Sequence, residues 1–166
     1  ICAYLTHHTG ERHEVKNPLN THLPPSNASL PIKVTVEDKN GCPRYAGVSI
    51  KGITIKPSPE WLQKQLKAIG QRPINNVVDI TNFILHETGQ PLHAFDADWI
   101  KGSGIRVKKL PEGTPFRSLD DKERKLSAED LMICDEMNNP LCIGGVFGGI
   151  QSGVSEKTVN LFLESA

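Results

Sequence analysis

The sequence predicts an α+β fold, with layered β-sheets of sandwich-like, mixed topology and two consecutive helices packed on them. Three observations carry that expectation. Strand patterns, alternating or β-branched, lie near both ends, at residues 32–36 and 158–163. Two helical patterns follow each other directly, over 58–70 and 76–89. After Gln90 the chain returns to short apolar runs separated by turn residues, so helices and strands do not alternate as βαβ units would.

Residues 1–41 read as the tail of a preceding domain and an extended connection, because residues 6–31 are rich in Thr, His, Asn and Pro with little apolar periodicity. Ile1-Cys2-Ala3-Tyr4 is neither an initiator methionine nor a signal peptide and reads as a cut within a longer protein. Ile32 to Val36 alternates as a half-buried strand and meets a turn at Asp38-Lys39-Asn40-Gly41. Arg44 to Ile55 forms a second strand region, where Gly47 and Gly52 suggest bulges or close backbone approach. In the first helix Ser58 suits the N-cap, Pro59 the first turn and Gly70 the C′ position, with Trp61, Leu62, Leu66 and Ile69 on the apolar face. The second runs from Asn76 to Glu87 with Gly89 closing it, and Val77, Ile80 and Ile84 keep core-facing spacing. Ile105–Lys109, Thr114–Leu119 and Lys122–Leu126 read as a meander. Leu131–Cys134, Pro140–Ile143 and Thr158–Leu163 are further strands, and the chain stops on a strand-like pattern, Phe162 to Ala166.

Composition narrows the function. With 37% hydrophobic and 23% charged residues the chain has an ordinary globular balance, and no apolar run approaches the roughly 20 residues of a membrane span. Zero formal net charge argues against a dedicated duplex DNA or RNA binder. The charge is unevenly placed: residues 101–125 carry +4 and residues 126–166 carry −5, which reads either as a solvated hairpin face or as a local contact with nucleic-acid phosphates. Cys2, Cys42, Cys134 and Cys142 show no CxxC spacing and read as reduced thiols of a cytoplasmic protein. His7, His8, His13 and His22 keep no ligand spacing with an acidic or thiol partner, so no metal is expected.

Three stretches hold more polar or flexible residues than a plain core needs. Residues 72–82 crowd polar side chains onto a helix start, His93 sits in an apolar turn, and residues 144–149 double glycine twice. Paired glycines let a ligand lie against exposed backbone N–H groups. From residue chemistry alone, His93 can be a hydrogen-bonded structural histidine or a site residue, and Arg72 a surface arginine. These features support a globular α+β domain with a small-ligand pocket.

The blocks Arg-Pro-Ile-Asn-Asn-Val-Val-Asp-Ile-Thr-Asn (72–82), Gly-Gln-Pro-Leu-His-Ala-Phe-Asp (89–96), Gly-Gly-Val-Phe-Gly-Gly (144–149) and Leu-Glu-Ser-Ala (163–166) resemble, in order and spacing, the editing module of bacterial phenylalanyl-tRNA synthetase beta subunits. Cys-Pro-Arg-Tyr-Ala-Gly at 42–47 resembles its opening. The resemblance implies that residues 42–166 are an editing module, truncated before a Thr-x-Ala segment that completes the pocket. It further implies hydrolysis of tyrosyl-tRNA(Phe), with His93 and Glu164 as catalytic residues. Glu164 would recognise the tyrosine phenol, while His93 and Arg72 would lie around the terminal adenosine and the ester. Thr81 and Asn82 would line the pocket, and Gly148 with Gly145 and Gly149 would form its wall. The implied partners are the tRNA(Phe) 3′ end and the synthetase alpha subunit of the intact heterotetramer, with no DNA and no membrane. No cofactor is implied for this fragment, since ATP and magnesium act elsewhere in the synthetase. The alternative is a non-catalytic tRNA-positioning or subunit-packing module of the same synthetase.

Overall fold

The computed structural model describes residues 7–12 and 30–166. Strand β1 (Lys33–Val36) follows the two-residue period: Val34 and Val36 pack toward the core while Lys33 and Thr35 face solvent. It pairs in parallel with β4 (Gly104–Lys109), placing Val34 beside Ile105 and Val36 beside Val107. Beyond β4 come β7 (Leu131–Asp135), β8 (Pro140–Ile143) and the two-residue β9 (Phe147–Gly148), all antiparallel, in a five-stranded sheet ordered β1-β4-β7-β8-β9. Strand β1 is thus part of this sheet although it lies within the stretch expected as a connection.

The second sheet has three strands ordered β2-β10-β3, with β10 (Asn160–Ser165) antiparallel to both β2 (Ala46–Lys51) and β3 (His93–Asp96). Phe95 of β3 and Phe162 of β10 are register partners and fully buried. They join Ile105, Val107, Ile133, Leu141 and Cys142 of the larger sheet in one apolar cluster. Burying a phenylalanine contributes about 1.5–3 kcal/mol, so this pair is a main tie between the layers. Strands β5 (Pro115–Arg117) and β6 (Glu123–Lys125) form a hairpin of their own. Phe116 of that hairpin joins Leu110, Leu126, Met132 and Cys134 in a second cluster. Met132 and Cys134 alternate along β7 with Ile133 of the first cluster, so the larger sheet is buried on both faces. The expected meander is therefore corrected: β4 pairs with β1 and β7, not with β5.

The two consecutive helices expected between the strands are α1 (Glu60–Ala68) and α2 (Asn76–Thr88). Leu62 and Leu66 of α1 are buried. Its end is a Schellman turn, with Gly70 at φ 80° donating to Lys67 and Gln71 donating to Leu66. At its start Ser58 does not cap; Pro59 holds that position, and the Ser58 hydroxyl donates instead to Asp79 of α2 at 2.5 Å. Asn75 caps α2 by accepting from the N–H groups of Val77 and Val78, and Gly89 ends it at φ 79°.

Candidate functional site

Glu164 of β10 stands opposite His93 of β3 on one side and Gly47 of β2 on the other. Cross-strand partners project to the same face, so Glu164 and His93 extend the buried row formed by Phe162 and Phe95. The His93 ring meets Phe95 edge-on at 4.5 Å between centroids. A Cβ at Gly47 would lie 2.2 Å from the Phe162 ring, so only glycine leaves room for that side chain beside the site. Glu164 is only 6% exposed, and its Oε2 accepts a hydrogen bond from the Tyr45 hydroxyl at 2.7 Å.

Burial dominates the electrostatics. It pushes the Glu164 carboxyl up to about 7 from its ordinary 4.5, while the Tyr45 hydrogen bond pulls it back toward ionisation. No lysine or arginine pairs with Glu164 among the described residues. Burial, reinforced by the neighbouring Glu164 charge, pushes the Cys142 thiol up to about 12 and raises Tyr45. Burial likewise lowers His93, keeping its imidazole neutral at physiological pH. His93 Nε2 is buried without a hydrogen-bond partner, alone in this among side-chain polar atoms of the described residues. A neutral imidazole nitrogen without a partner can receive or give a proton, or hold a water.

The glycine-rich block is a hairpin more than an open cradle. Gly145 takes φ 69° at its tip, and the N–H groups of Gly144, Val146 and Gly149 already donate to Leu131, Ile143 and Leu141. The expectation that these N–H groups await a ligand is corrected at those positions. Gly148 has a different role, because a Cβ there would stand 2.6 Å from His93 Cε1 and 3.0 Å from Nε2. The missing side chain is what lets the imidazole lie against β9. Gly149 approaches the Leu141 carbonyl so closely that a Cβ would sit 2.7 Å from it.

His93, Glu164 and Gly148 therefore converge, and the other implied residues lie apart from them. Thr81 sits on α2, donates to the Val78 carbonyl at 2.8 Å, and lines a cleft with Val77, Ile80, Leu161 and Leu163. Leu161 and Leu163 alternate with Phe162 and Glu164, so this cleft is on the opposite face of β10. Asn82 follows Thr81 on α2 and is half-buried. Arg72 is exposed between the helices, without an ion pair among the described residues. Gly145 and Gly144 border a cleft of about 560 Å³ together with Cys42, Tyr45, Ala46 and Ser165. Tyr45 lines that cleft and Glu164, behind it, does not. Much of the polar density at 72–82 is structural: Asn75 caps α2, Asn76 binds the backbone of Thr54 and Lys56, and buried Asp79 holds Ser58 and the Ile74 N–H.

Sequence reasoning missed Tyr45 as a site residue. It lies within the quoted block 42–47, yet its partner is 119 residues away, and only the β2–β10 register makes them neighbours. Cys42, Cys134 and Cys142 are buried free thiols, and Cys2, His13 and His22 lie outside the described residues. His7 and His8 are exposed. No helix among the described residues is long and apolar enough to cross a membrane.

Residues 41–166 match the family described as the B3/4 domain. The chain is 58% identical over 153 residues to the phenylalanine–tRNA ligase beta subunit of Porphyromonas gingivalis, covering 92% of this chain and 19% of that protein. It is 56% identical over 166 residues to the same subunit of Bacteroides fragilis, covering 100% of this chain and 20% of that one. The chain thus spans about a fifth of the length of the curated relatives it matches. A solved N-terminal fragment of the phenylalanyl-tRNA synthetase beta subunit from Pyrococcus horikoshii shares the fold at a TM-score of 0.58, over 89% of this chain and 47% of that one. Its 18% identity makes this a likeness of fold alone. Since the family match takes in β2 through β10, with Tyr45, His93 and Glu164 inside it, the chain belongs to the B3/4 domain family.

Proposed function

We propose that this chain is the proofreading module of a phenylalanine–tRNA ligase beta subunit, hydrolysing tyrosine wrongly esterified to tRNA(Phe). One observation carries the reading: buried Glu164, without a cationic partner, already accepts a phenolic O–H, that of Tyr45, at 2.7 Å. A carboxylate has room for further donors, and a tyrosine side chain brings one where phenylalanine brings none. A site built to bind a hydroxyl rejects the analogue lacking it, because its polar group is left unpaired.

In the hydrolysis a water oxygen adds to the ester carbonyl carbon and the bond to the terminal ribose oxygen breaks. One proton of the water goes to the ribose oxygen, which leaves as a hydroxyl; tyrosine leaves as a carboxylate and the second proton passes to solvent. An aminoacyl ester needs little more than a positioned water. His93, neutral and with Nε2 unpartnered, is the group suited to orient it. Arg72, Thr81 and Asn82 would join only on rearrangement around the tRNA end. The partners of this reading are the 3′ end of tRNA(Phe) and the synthetase alpha subunit, in the cytoplasm. ATP and magnesium belong to the synthetic reaction of the whole assembly.

A non-catalytic tRNA-positioning or subunit-packing role is favoured by one feature, that the cleft beside Tyr45 stops short of Glu164 and His93. The deciding experiment is Glu164→Ala in the intact synthetase, with release of tyrosine and of phenylalanine from tRNA(Phe) both timed. A charge-assisted hydrogen bond is worth about 1.5–3 kcal/mol, so tyrosine release should slow roughly ten- to a hundredfold while phenylalanine release holds or rises. An unchanged ratio of the two rates would assign Glu164 to packing.

A further inference from the structure

We propose that Tyr45 is the positioning residue for Glu164, holding Oε2 with its hydroxyl so that Oε1 is presented to the phenol of the esterified tyrosine. The proposal rests on the editing reading and deepens it by naming what orients the recognising carboxylate. Tyr45 immediately precedes β2, whose register sets Ala46 beside Ser165 and Gly47 beside Glu164. The ladder thereby delivers the phenol ring to the carboxylate without requiring any loop to fold over it. The Tyr45 contact is the one side-chain hydrogen bond to Glu164 among the described residues, and Oε1, free of such a partner, is not sealed from solvent as His93 Nε2 is.

The other titratable groups facing Glu164 cannot perform this task. Cys42 approaches from the loop before β2, Cys142 from β8 and His93 from β3. Both thiols are raised and stay protonated, and burial keeps His93 neutral, so none supplies a positive charge. The Tyr45 hydroxyl is therefore the polar contact that favours the ionised carboxylate. Its placement also bears on access: Tyr45 lines the cleft of about 560 Å³ that includes Gly145 and Ser165, while Glu164 lies behind it. An aromatic ester entering by that cleft meets the Tyr45 ring before it meets Glu164.

The test uses the intact synthetase carrying Tyr45→Phe, with Glu164→Gln in parallel. Deacylation of tyrosyl- and phenylalanyl-tRNA(Phe) is followed from about pH 6 to about pH 9, with the uncatalysed rate subtracted. In the unsubstituted enzyme the preference for tyrosine should fall on acidification with a midpoint near 7, where Glu164 takes up its proton. In Tyr45→Phe the midpoint should move up by about one to two pH units, the preference at neutral pH should drop roughly tenfold, and raising the pH should restore part of it. Recovery at high pH also shows that the module remains folded. An unchanged midpoint and ratio would overturn the proposal. So would faster tyrosine release, which would make Tyr45 a plug that substrate displaces, and so would a preference lost at every pH. If Glu164→Gln keeps the full, pH-dependent preference, the editing reading itself fails; if only Tyr45→Phe behaves like the unsubstituted enzyme, the positioning role fails alone.

Discussion

Glu164 is a carboxylate that the fold would keep neutral more cheaply than charged, and this can be read out apart from any activity. Its value in the folded chain is about 7, against an ordinary 4.5. Between those values the folded state holds the proton and the unfolded state does not. Stability from this group is therefore complete below about pH 4.5 and is lost as the pH rises through about 7, by about 3 kcal/mol in all. Glutamine has no proton to lose, so Glu164→Gln should protect β10 amides from hydrogen exchange more than the native residue at pH 8, with the difference vanishing near pH 4. His93 acts in the opposite sense at acidic pH, but it is common to both proteins and cancels in the comparison. An advantage independent of pH would show that Glu164 does not carry the charge assigned to it. At this scale the sequence was partly legible. The blocks around 93, 148 and 164 single out three residues that converge. Tyr45 escaped because its partner is set by strand register, and the crowd at 72–82 misled because Asn75, Asn76 and Asp79 serve the backbone.

Helices α1 and α2 are clamped through Asp79, which is fully buried and accepts from the Ser58 hydroxyl at 2.5 Å and the Ile74 N–H at 2.8 Å. Asp79→Ala strands both donors and should destabilise the helix pair by about 2–4 kcal/mol. Asn75→Ala removes only a cap and should cost about 1 kcal/mol. Limited proteolysis of the intact subunit between residues 56 and 79 should follow that order; a cap loss as damaging as the Asp79 loss would refute the clamp. Local signals marked both helix ends well, because Gly70 and Gly89 adopt the left-handed conformation their positions require. Ser58 departs from expectation because a buried carboxylate competes for its hydroxyl, a demand made 21 residues away. Strand β3 was read as a turn since it spans only His93–Asp96 and lies just after Pro91.

Across the whole molecule, the layers were legible and their pairing was not. Periodicity reports which face of a strand is buried; it does not report that β10 lies between β2 and β3, or that β1 joins β4. The basic segment at 101–125 is likewise settled by tertiary neighbours. Arg106 and Lys108 meet Glu37, Lys109 meets Glu129, Arg117 meets Asp121, and Arg124 and Lys122 meet Asp120. Each exposed pair stabilises little, and because only Glu37 and Glu129 lie outside the segment, the pairs lower its excess from +4 to +2. On the proofreading reading, Lys108→Glu with Lys109→Glu should accordingly change the salt dependence of tRNA binding by the intact synthetase by no more than about two phosphate contacts. A larger loss would make this face a primary docking surface. The position of β10 also bears on how the protein is made. During synthesis β2 and β3 leave the ribosome as unpaired edges and must wait for the strand that joins them. His93 precedes Glu164 by roughly seventy residues, on the order of 4 to 14 s of translation. Glu164 and the ladder that holds it thus follow the other two strands of this sheet, and a nascent chain stalled before β10 would carry Tyr45 and His93 without the strand that sets them on either side of Glu164.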